Sequence, residues 1–322
     1  MSKKAKLVAA YLKGRPIWCS WQVTPRCDGP CAFCDHRSEA GLAQPELESC
    51  RKIVRELSAQ GTLLVSLSGG EPFLRSDLPE LVSLVAEAHF PLLTTDGCLV
   101  TRSRARAVWE AGLEAASVRL DHADPELQDR AVGVPGAHAR ALAGLAALAA
   151  ERTRPSQQVN VKARLTGADV SGLAGLLKLA ADHGATVTVE PAFLLTRSAP
   201  ASTGLAERLR LLKSEHPNLR AGSYFLSRLD ESLAAGVGSC RAGQAFFNVD
   251  HHGQVSKCVE FRGPEDRVGR LEEEGISKVM GRLKVVHAAN ECRSCWYASR
   301  GELEGLYTLR GLLGALPGLL RA

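Results

Sequence analysis

Six short apolar runs, each followed by a turn or a stretch with helical spacing, constrain this 322-residue chain more than any other feature. Ile17–Val23, Leu63–Ser68, Phe90–Thr95, Ala115–Asp121, Gln158–Leu165 and Thr186–Glu190 have the length and residue types of strands. Between them, residues 45–60, 103–112, 137–152 and 169–183 place apolar residues three and four apart, as amphipathic helices do. Strand, helix and strand joined by right-handed crossovers give a parallel sheet covered by helices, so the chain is predicted to be α/β. Periodicity leaves two architectures open, a doubly wound sheet and a sheet curled toward a barrel. With 45% apolar residues the chain can bury one large α/β domain and a smaller one.

The ten cysteines need a different account. The chain has no secretory signal pattern at its start and no run of about 18 uncharged apolar residues, so a cytoplasmic location is expected, and there cysteines serve as metal ligands or thiols rather than disulfides. The net charge of +5 is spread along the chain and clustered only at Lys3, Lys4 and Lys6, which gives no case for nucleic-acid binding. Three cysteines share one short loop, Cys27-Asp-Gly-Pro-Cys31-Ala-Phe-Cys34. Three thiolates on one centre leave a coordination position open. A structural zinc site is normally closed by four ligands, whereas a 4Fe-4S cluster on three thiolates keeps one iron free for a small molecule. Spacing alone leaves both metals open.

One helix and one strand later, Leu63–Leu67 runs into Ser68-Gly69-Gly70-Glu71-Pro72. Paired glycines let backbone approach a ligand closely, and the carboxylate that follows can accept from an ammonium group; an ordinary strand-to-helix turn has the same composition. The cysteine loop, with Phe33 before its last cysteine, together with this Gly-Gly-Glu-Pro turn resembles the radical S-adenosylmethionine (SAM) enzymes. The resemblance implies a partial (β/α)6 TIM-like barrel over residues 17–200, with the cluster loop after the first strand. It implies that Cys27, Cys31 and Cys34 hold a SAM-binding 4Fe-4S cluster, and that Gly69, Gly70, Glu71 and Phe33 belong to the SAM site. The activity implied is that of an oxidoreductase or transferase that reductively cleaves SAM to a 5'-deoxyadenosyl radical for hydrogen abstraction, fed by a reductant such as flavodoxin or ferredoxin.

Other strand ends carry polar residues. Thr94-Thr95-Asp96-Gly97 resembles the family's T-N-G turn with Asp in place of Asn. Val118-Arg119-Leu120-Asp121-His122 resembles its strand-four pattern v-S-l-D-g, with Arg119 in place of Ser and His122 in place of Gly. Lys162 and Arg164 alternate on one strand and share a face. Arg119, Lys162 and Arg164 are therefore candidates for the SAM carboxylate, its ribose or an acidic substrate, and equally for ion pairs or solvated strand ends. Glu190 reads as a substrate contact or an ion-pair residue, and Cys98 as a hydrogen-atom or proton donor or a packed thiol. With Arg119 they complete the catalytic candidates. Cys19 and Cys50 fall in a strand and a helix, where packing is expected.

From Cys240 the metal signal returns. Cys240 and Cys258 bracket a predicted hairpin, Ala245–Asp250 with Gly253–Ser256, and Cys292-Arg-Ser-Cys295 adds a pair. Four thiolates suit a closed zinc site or an iron–sulfur cluster. The arrangement, with Val268-Gly269-Arg270-Leu271 between the pairs, resembles the short "twitch" form of the SPASM extension of radical SAM enzymes, which implies a second iron–sulfur cluster, of the 4Fe-4S kind, within residues 240–297. The remaining boundaries are a basic helix at 1–16, a helical linker at 201–239 and a Leu-rich helix at 298–322, which either packs on the barrel or contacts a membrane surface or lipid. Peptide maturation of the ribosomally synthesised (RiPP) type is the leading expectation, with a peptide or small molecule as substrate. A small-molecule or lipid/isoprenoid dehydrogenase or transferase is the alternative. Outside enzymes, a zinc-stabilised binding protein would lack iron and sulfide, and an iron–sulfur electron carrier would leave SAM intact.

Overall fold

A computed structural model describes residues 14–29, 31, 42–165, 170–191, 204–238, 240–261 and 263–307. In chain order the strands are β1 (Trp18–Thr24), β2 (Leu64–Gly69), β3 (Phe90–Thr95), β4 (Ala115–Arg119), β5 (Gln158–Leu165), β6 (Thr186–Pro191), β7 (Leu219–Arg220), β8 (Phe246–Val249), β9 (Gln254–Ser256) and β10 (Arg267–Arg270). Two compact units contain them. The first comprises Met1–Val118, Asp129–Val159 and Arg241–Asn290, and the second Arg119–Gln128, Asn160–Cys240 and Glu291–Ala322.

In the first unit the strands run in the order β10-β9-β8-β1-β2-β3-β4. The pairs β1–β2, β2–β3, β3–β4 and β1–β8 are parallel, and β9 lies antiparallel between β8 and β10. Register sets Val249, Trp21, Leu67, Leu93 and Ala116 in one row across five strands, and all five are buried. β2, β3 and β4 bury alternate residues and this row lies on their buried face, as period-two patterning requires. The helix Leu47–Gln60 buries Cys50, Ile53, Val54 and Leu57 and ends on Gly61 in the left-handed conformation (φ +82°).

The second unit holds β5, β6 and β7 as parallel neighbours, with Val161, Val187 and Leu219 in register and buried. The helices Leu173–Asp182, Leu205–Glu215, Ser223–Ala235 and Ala298–Leu306 belong to it.

The six predicted strands all form, with ends displaced by at most two residues, and the sheet is parallel where the alternation demanded it. Two boundaries differ. Residues 201–239 were expected to link domains, yet their described helices bury Leu205, Leu209, Phe225 and Leu229 and frame β7, so they are part of the second unit's core. The predicted hairpin forms as β8 and β9, but β8 pairs with β1, so Arg241–Asn290 extends the first unit's sheet instead of standing apart. That pairing covers the outer edge of β1, whose backbone groups would otherwise lack partners. Of the predicted terminal helices, Ala298–Leu306 forms, while residues 1–13 and 308–322 lie outside the described residues. Among the described residues no single helix is long and apolar enough to cross a membrane.

Candidate functional site

In the first unit the chemistry gathers where β1, β2 and β3 end. Beyond Thr24 the chain enters the cysteine loop, with Cys27 and Cys31 half-buried and outside any disulfide; Cys34 and Phe33 lie outside the described residues. The Gly69–Gly70 turn lies directly against the loop's entrance. Gly70 N donates to Thr24 O at 2.8 Å and Glu71 N to Arg26 O at 2.8 Å. A Cβ on Gly69 would overlap the Thr24 carbonyl, and one on Gly70 the Arg26 carbonyl, while Gly69 also sits at φ +124°. Glycine is required here because two stretches of backbone touch. The close approach read from sequence as ligand contact is thus already used to dock the loop.

Glu71 is buried at 2% exposure, and its carboxylate accepts from Phe73 N (2.9 Å), Thr95 Oγ1 (2.8 Å) and Asp96 N (2.8 Å). It therefore ties the β2 turn to the β3 turn. Burial and the neighbouring Asp96 carboxylate push its pKa up to about 8. Asp96 is itself raised, chiefly by burial, and its Oδ1 accepts from Cys98 N at 2.7 Å in a turn whose Gly97 has φ +81°. Two buried carboxyls sharing one corner favour retaining a proton between them, and an arriving cation would replace it.

Arg75 was not singled out from sequence. Its side chain is fully buried, paired with Asp77 through Nε (3.0 Å) and Nη2 (2.7 Å), and its Nη1 donates to Val23 O (2.8 Å) and Pro45 O (3.0 Å). Val23 and Pro45 flank the cysteine loop, so one guanidinium fork clasps both its ends. A charged residue directly after the apolar run Pro72-Phe73-Leu74, two positions before an Asp, was the available signal. Cys98 is half-buried, with Sγ 3.8 Å from Ala137 O, and burial pushes its thiol up to about 12. Cys19 and Cys50 are buried in the core as expected.

In the second unit the predicted polar candidates meet. Glu190 faces Arg119 Nη2 at 3.5 Å and Lys162 Nζ at 3.6 Å. Burial opposes its charge, but Lys162, Arg119 and Arg164 outweigh it and hold the carboxyl below its usual range. Burial and the nearby Arg119 lower Arg164, whose backbone N donates to Asp121 Oδ1 at 2.7 Å. Gln128 Oε1 accepts from Asp121 N (2.9 Å) and His122 N (3.0 Å), fixing the turn after β4. Three cations and two carboxylates thus converge, leaving net positive charge suited to an anionic ligand.

Of the C-terminal cysteines, Cys258 follows β9 in the first unit, and Cys240, Cys292 and Cys295 belong to the second. Gly236, at φ +72°, lies so close to the Arg293 backbone that a side chain there would overlap it, so the chain leading to Cys240 runs beside the Cys292–Cys295 turn. Trp296 anchors that turn: it is fully buried, stacks on Phe225 at 6.2 Å and donates from Nε1 to Phe225 O at 2.9 Å. Among the described residues no three His, Cys, Asp or Glu side chains stand close enough to hold one metal ion. The donor set at each place is nevertheless sulfur, which suits iron–sulfur clusters.

The Radical SAM superfamily model matches residues 21–167. The AdoMet-dependent heme synthase of Methanosarcina barkeri is 32% identical over 41% of this chain and 39% of its own length, so the chain spans well under half of that relative. The mycofactocin maturase MftC of Mycolicibacterium smegmatis is 27% identical over 92% of this chain and 80% of its own. In fold, the chain resembles Streptococcus suis SuiB bound to its precursor peptide SuiA, with TM-score 0.67, 15% identity, and coverage of 95% of this chain and 77% of that one.

Proposed function

We propose a function from the premise that residues 21–167 are a radical SAM domain, the module of an enzyme that uses a 4Fe-4S cluster and SAM: this chain is a radical SAM enzyme of peptide maturation. The observation that carries the peptide reading is the extent of similarity. The heme synthase is similar over 41% of this chain, whereas MftC is similar over 92% of it. The fold shared with peptide-bound SuiB supports the same substrate class. A partial barrel over 17–200, a second cluster on Cys240, Cys258, Cys292 and Cys295, a flavodoxin- or ferredoxin-type reductant and a cytoplasmic location complete the reading.

When bound, the cluster and SAM supply one-electron cleavage to a 5'-deoxyadenosyl radical. The chain's own residues do the rest. Cys27, Cys31 and Cys34 would hold the cluster on a loop that Arg75 and the Gly69–Gly70 backbone fix in place. Glu71 and Asp96 give the methionyl ammonium a buried acidic corner, releasing the proton they share as it enters. Arg119, Lys162 and Arg164 provide positive charge for the methionyl carboxylate or an acidic substrate, with Glu190 keeping Arg119 and Lys162 oriented. The Cys98 thiol, held protonated, is positioned as a hydrogen or proton donor rather than a nucleophile.

Anaerobic reconstitution should give about eight irons per chain, and about four when Cys27, Cys31 and Cys34 are all replaced by Ala. With SAM and dithionite the wild-type chain should form 5'-deoxyadenosine, faster when a short peptide encoded beside its gene is added, and that peptide should change mass. A porphyrin or other small molecule producing the acceleration in the peptide's place would overturn the peptide reading.

A further inference from the structure

We infer that Arg300 is a positioning residue for the C-terminal cysteines, one that sets the reduction potential of the cluster they hold. The inference rests on the proposed role of Cys240 and Cys295 as thiolate ligands. Arg300 lies on the helix Ala298–Leu306, and its side chain is only 3% exposed. A guanidinium is rarely buried so deeply unless every face of it is used. Its Nε donates to Glu304 Oε1 at 2.7 Å, its Nη2 to Val237 O at 3.3 Å, and its Nη1 to the Cys295 carbonyl, with Cys295 Sγ 3.8 Å from the same nitrogen. The plane packs over Trp296, 5.1 Å from the ring centroid. Val237 lies three residues before Cys240, so this one side chain binds the segments that carry Cys240 and Cys295.

The charge arrangement distinguishes this from a simple brace. Burial disfavours the cation, but a guanidinium keeps its proton in a protein, and the Glu304 carboxylate is bonded to it. Among the described residues Glu304 is the carboxylate that pairs with the guanidinium, and the Cys295 sulfur lies 3.8 Å from it. Arg300 is buried beside Cys295, so its charge acts there with less screening than at the surface. Hydrogen bonds and net charge around thiolate sulfurs are what tune an iron–sulfur centre, and a cation stabilises the reduced, more negative state. Glu304 acts in the opposite sense through the same group, because it withdraws part of Arg300's charge. The pair therefore predicts two shifts of opposite sign.

The test uses the full-length chain carrying Cys27→Ala, Cys31→Ala and Cys34→Ala, so that only the C-terminal cluster is loaded, with its midpoint potential read by electron paramagnetic resonance during redox titration. Arg300→Gln should lower the potential by an equilibrium factor of about ten, roughly 59 mV for one electron. Glu304→Gln should raise it, and Arg300→Lys, which keeps the charge but not the fork, should fall between Gln and wild type. A brace without electrostatic effect would move all three the same way or not at all, and that result would overturn the inference. If Arg300→Gln fails to hold a cluster, the Glu304→Gln shift decides alone: a rise supports the inference and no rise overturns it. If the parent protein binds no iron at this site, the cluster reading itself falls and the inference with it. Iron bound with unmoved potentials overturns the inference alone.

Discussion

The strand ends of the two units are built on opposite principles. In the first, Gly69, Gly70, Glu71 and Arg75 are buried or in close backbone contact, and their described hydrogen bonds go to other parts of the protein. In the second, Arg119, Lys162 and Glu190 keep between 19% and 27% of their side-chain surface exposed and pair at 3.5 to 3.6 Å, longer than ideal charge-assisted hydrogen bonds. Gly69, Gly70 and Arg75 fix a loop, with Glu71 the member of that set that also offers its carboxylate to a ligand; the second set can exchange its partners for one. Charged residues at or near strand ends can thus be scaffold or site depending on how completely the fold has already satisfied them.

The comparison breaks most visibly at Arg75. Arg75→Ala removes a buried fork from two carbonyls and from Asp77, and should cost about 3 kcal/mol of stability and most of the iron at the first cluster. Chemical denaturation and iron analysis of the reconstituted protein check both. A variant that unfolds as wild type does would show that Arg75 is no clasp. Gly70→Ala comes next. Its methyl group would meet the Arg26 carbonyl, and the forced separation should cost about 2 to 3 kcal/mol and loosen the loop, as denaturant midpoint and the rate of iron release would report.

Glu71 sharpens the contrast through pH. Its folded pKa is raised to about 8 from an ordinary 4.5, so the folded chain holds a proton that the unfolded chain has released between those values. The contribution of this group to stability is full below about 4.5 and is lost as pH rises through about 8. Glu71→Gln, neutral at every pH, should gain on wild type from pH 5 to pH 8, by at most about 1.4 kcal/mol for each pH unit. Parallel denaturation profiles for the two proteins would mean that Glu71 is ionised throughout.

The smallest effect on stability belongs to the second unit. Lys162→Met should change stability by about 1 kcal/mol or less, because a partly exposed ion pair at 3.6 Å contributes little. It should still weaken SAM binding about tenfold, or ~1.4 kcal/mol, measured by equilibrium dialysis. The reverse outcome, a large stability loss with unchanged binding, would make this cluster scaffold too. Cys295→Ala separates the two cluster regions: 5'-deoxyadenosine formation should persist without peptide, while peptide modification should fall or stop. Zinc content with full product formation would assign the C-terminal cysteines a structural role.

The sequence by itself determined the six parallel strands, since period-two burial and the alternation with helices are local properties of the chain. It also determined the glycine turn, the cysteine sets and the shared face of Lys162 and Arg164, because residue type and spacing carry that information without a partner. Only the tertiary structure decided what each polar group is used for. The Gly-Gly backbone meets the Thr24–Arg26 backbone, Arg75 reaches back to Val23 and forward to Pro45, and β8 closes the edge of β1 from more than 200 residues along the chain. These are pairings between segments far apart in sequence, fixed by which surfaces the packed sheet brings within hydrogen-bond distance. A local pattern names the donors and acceptors, and the fold selects which of them are already paired and which are left for a ligand.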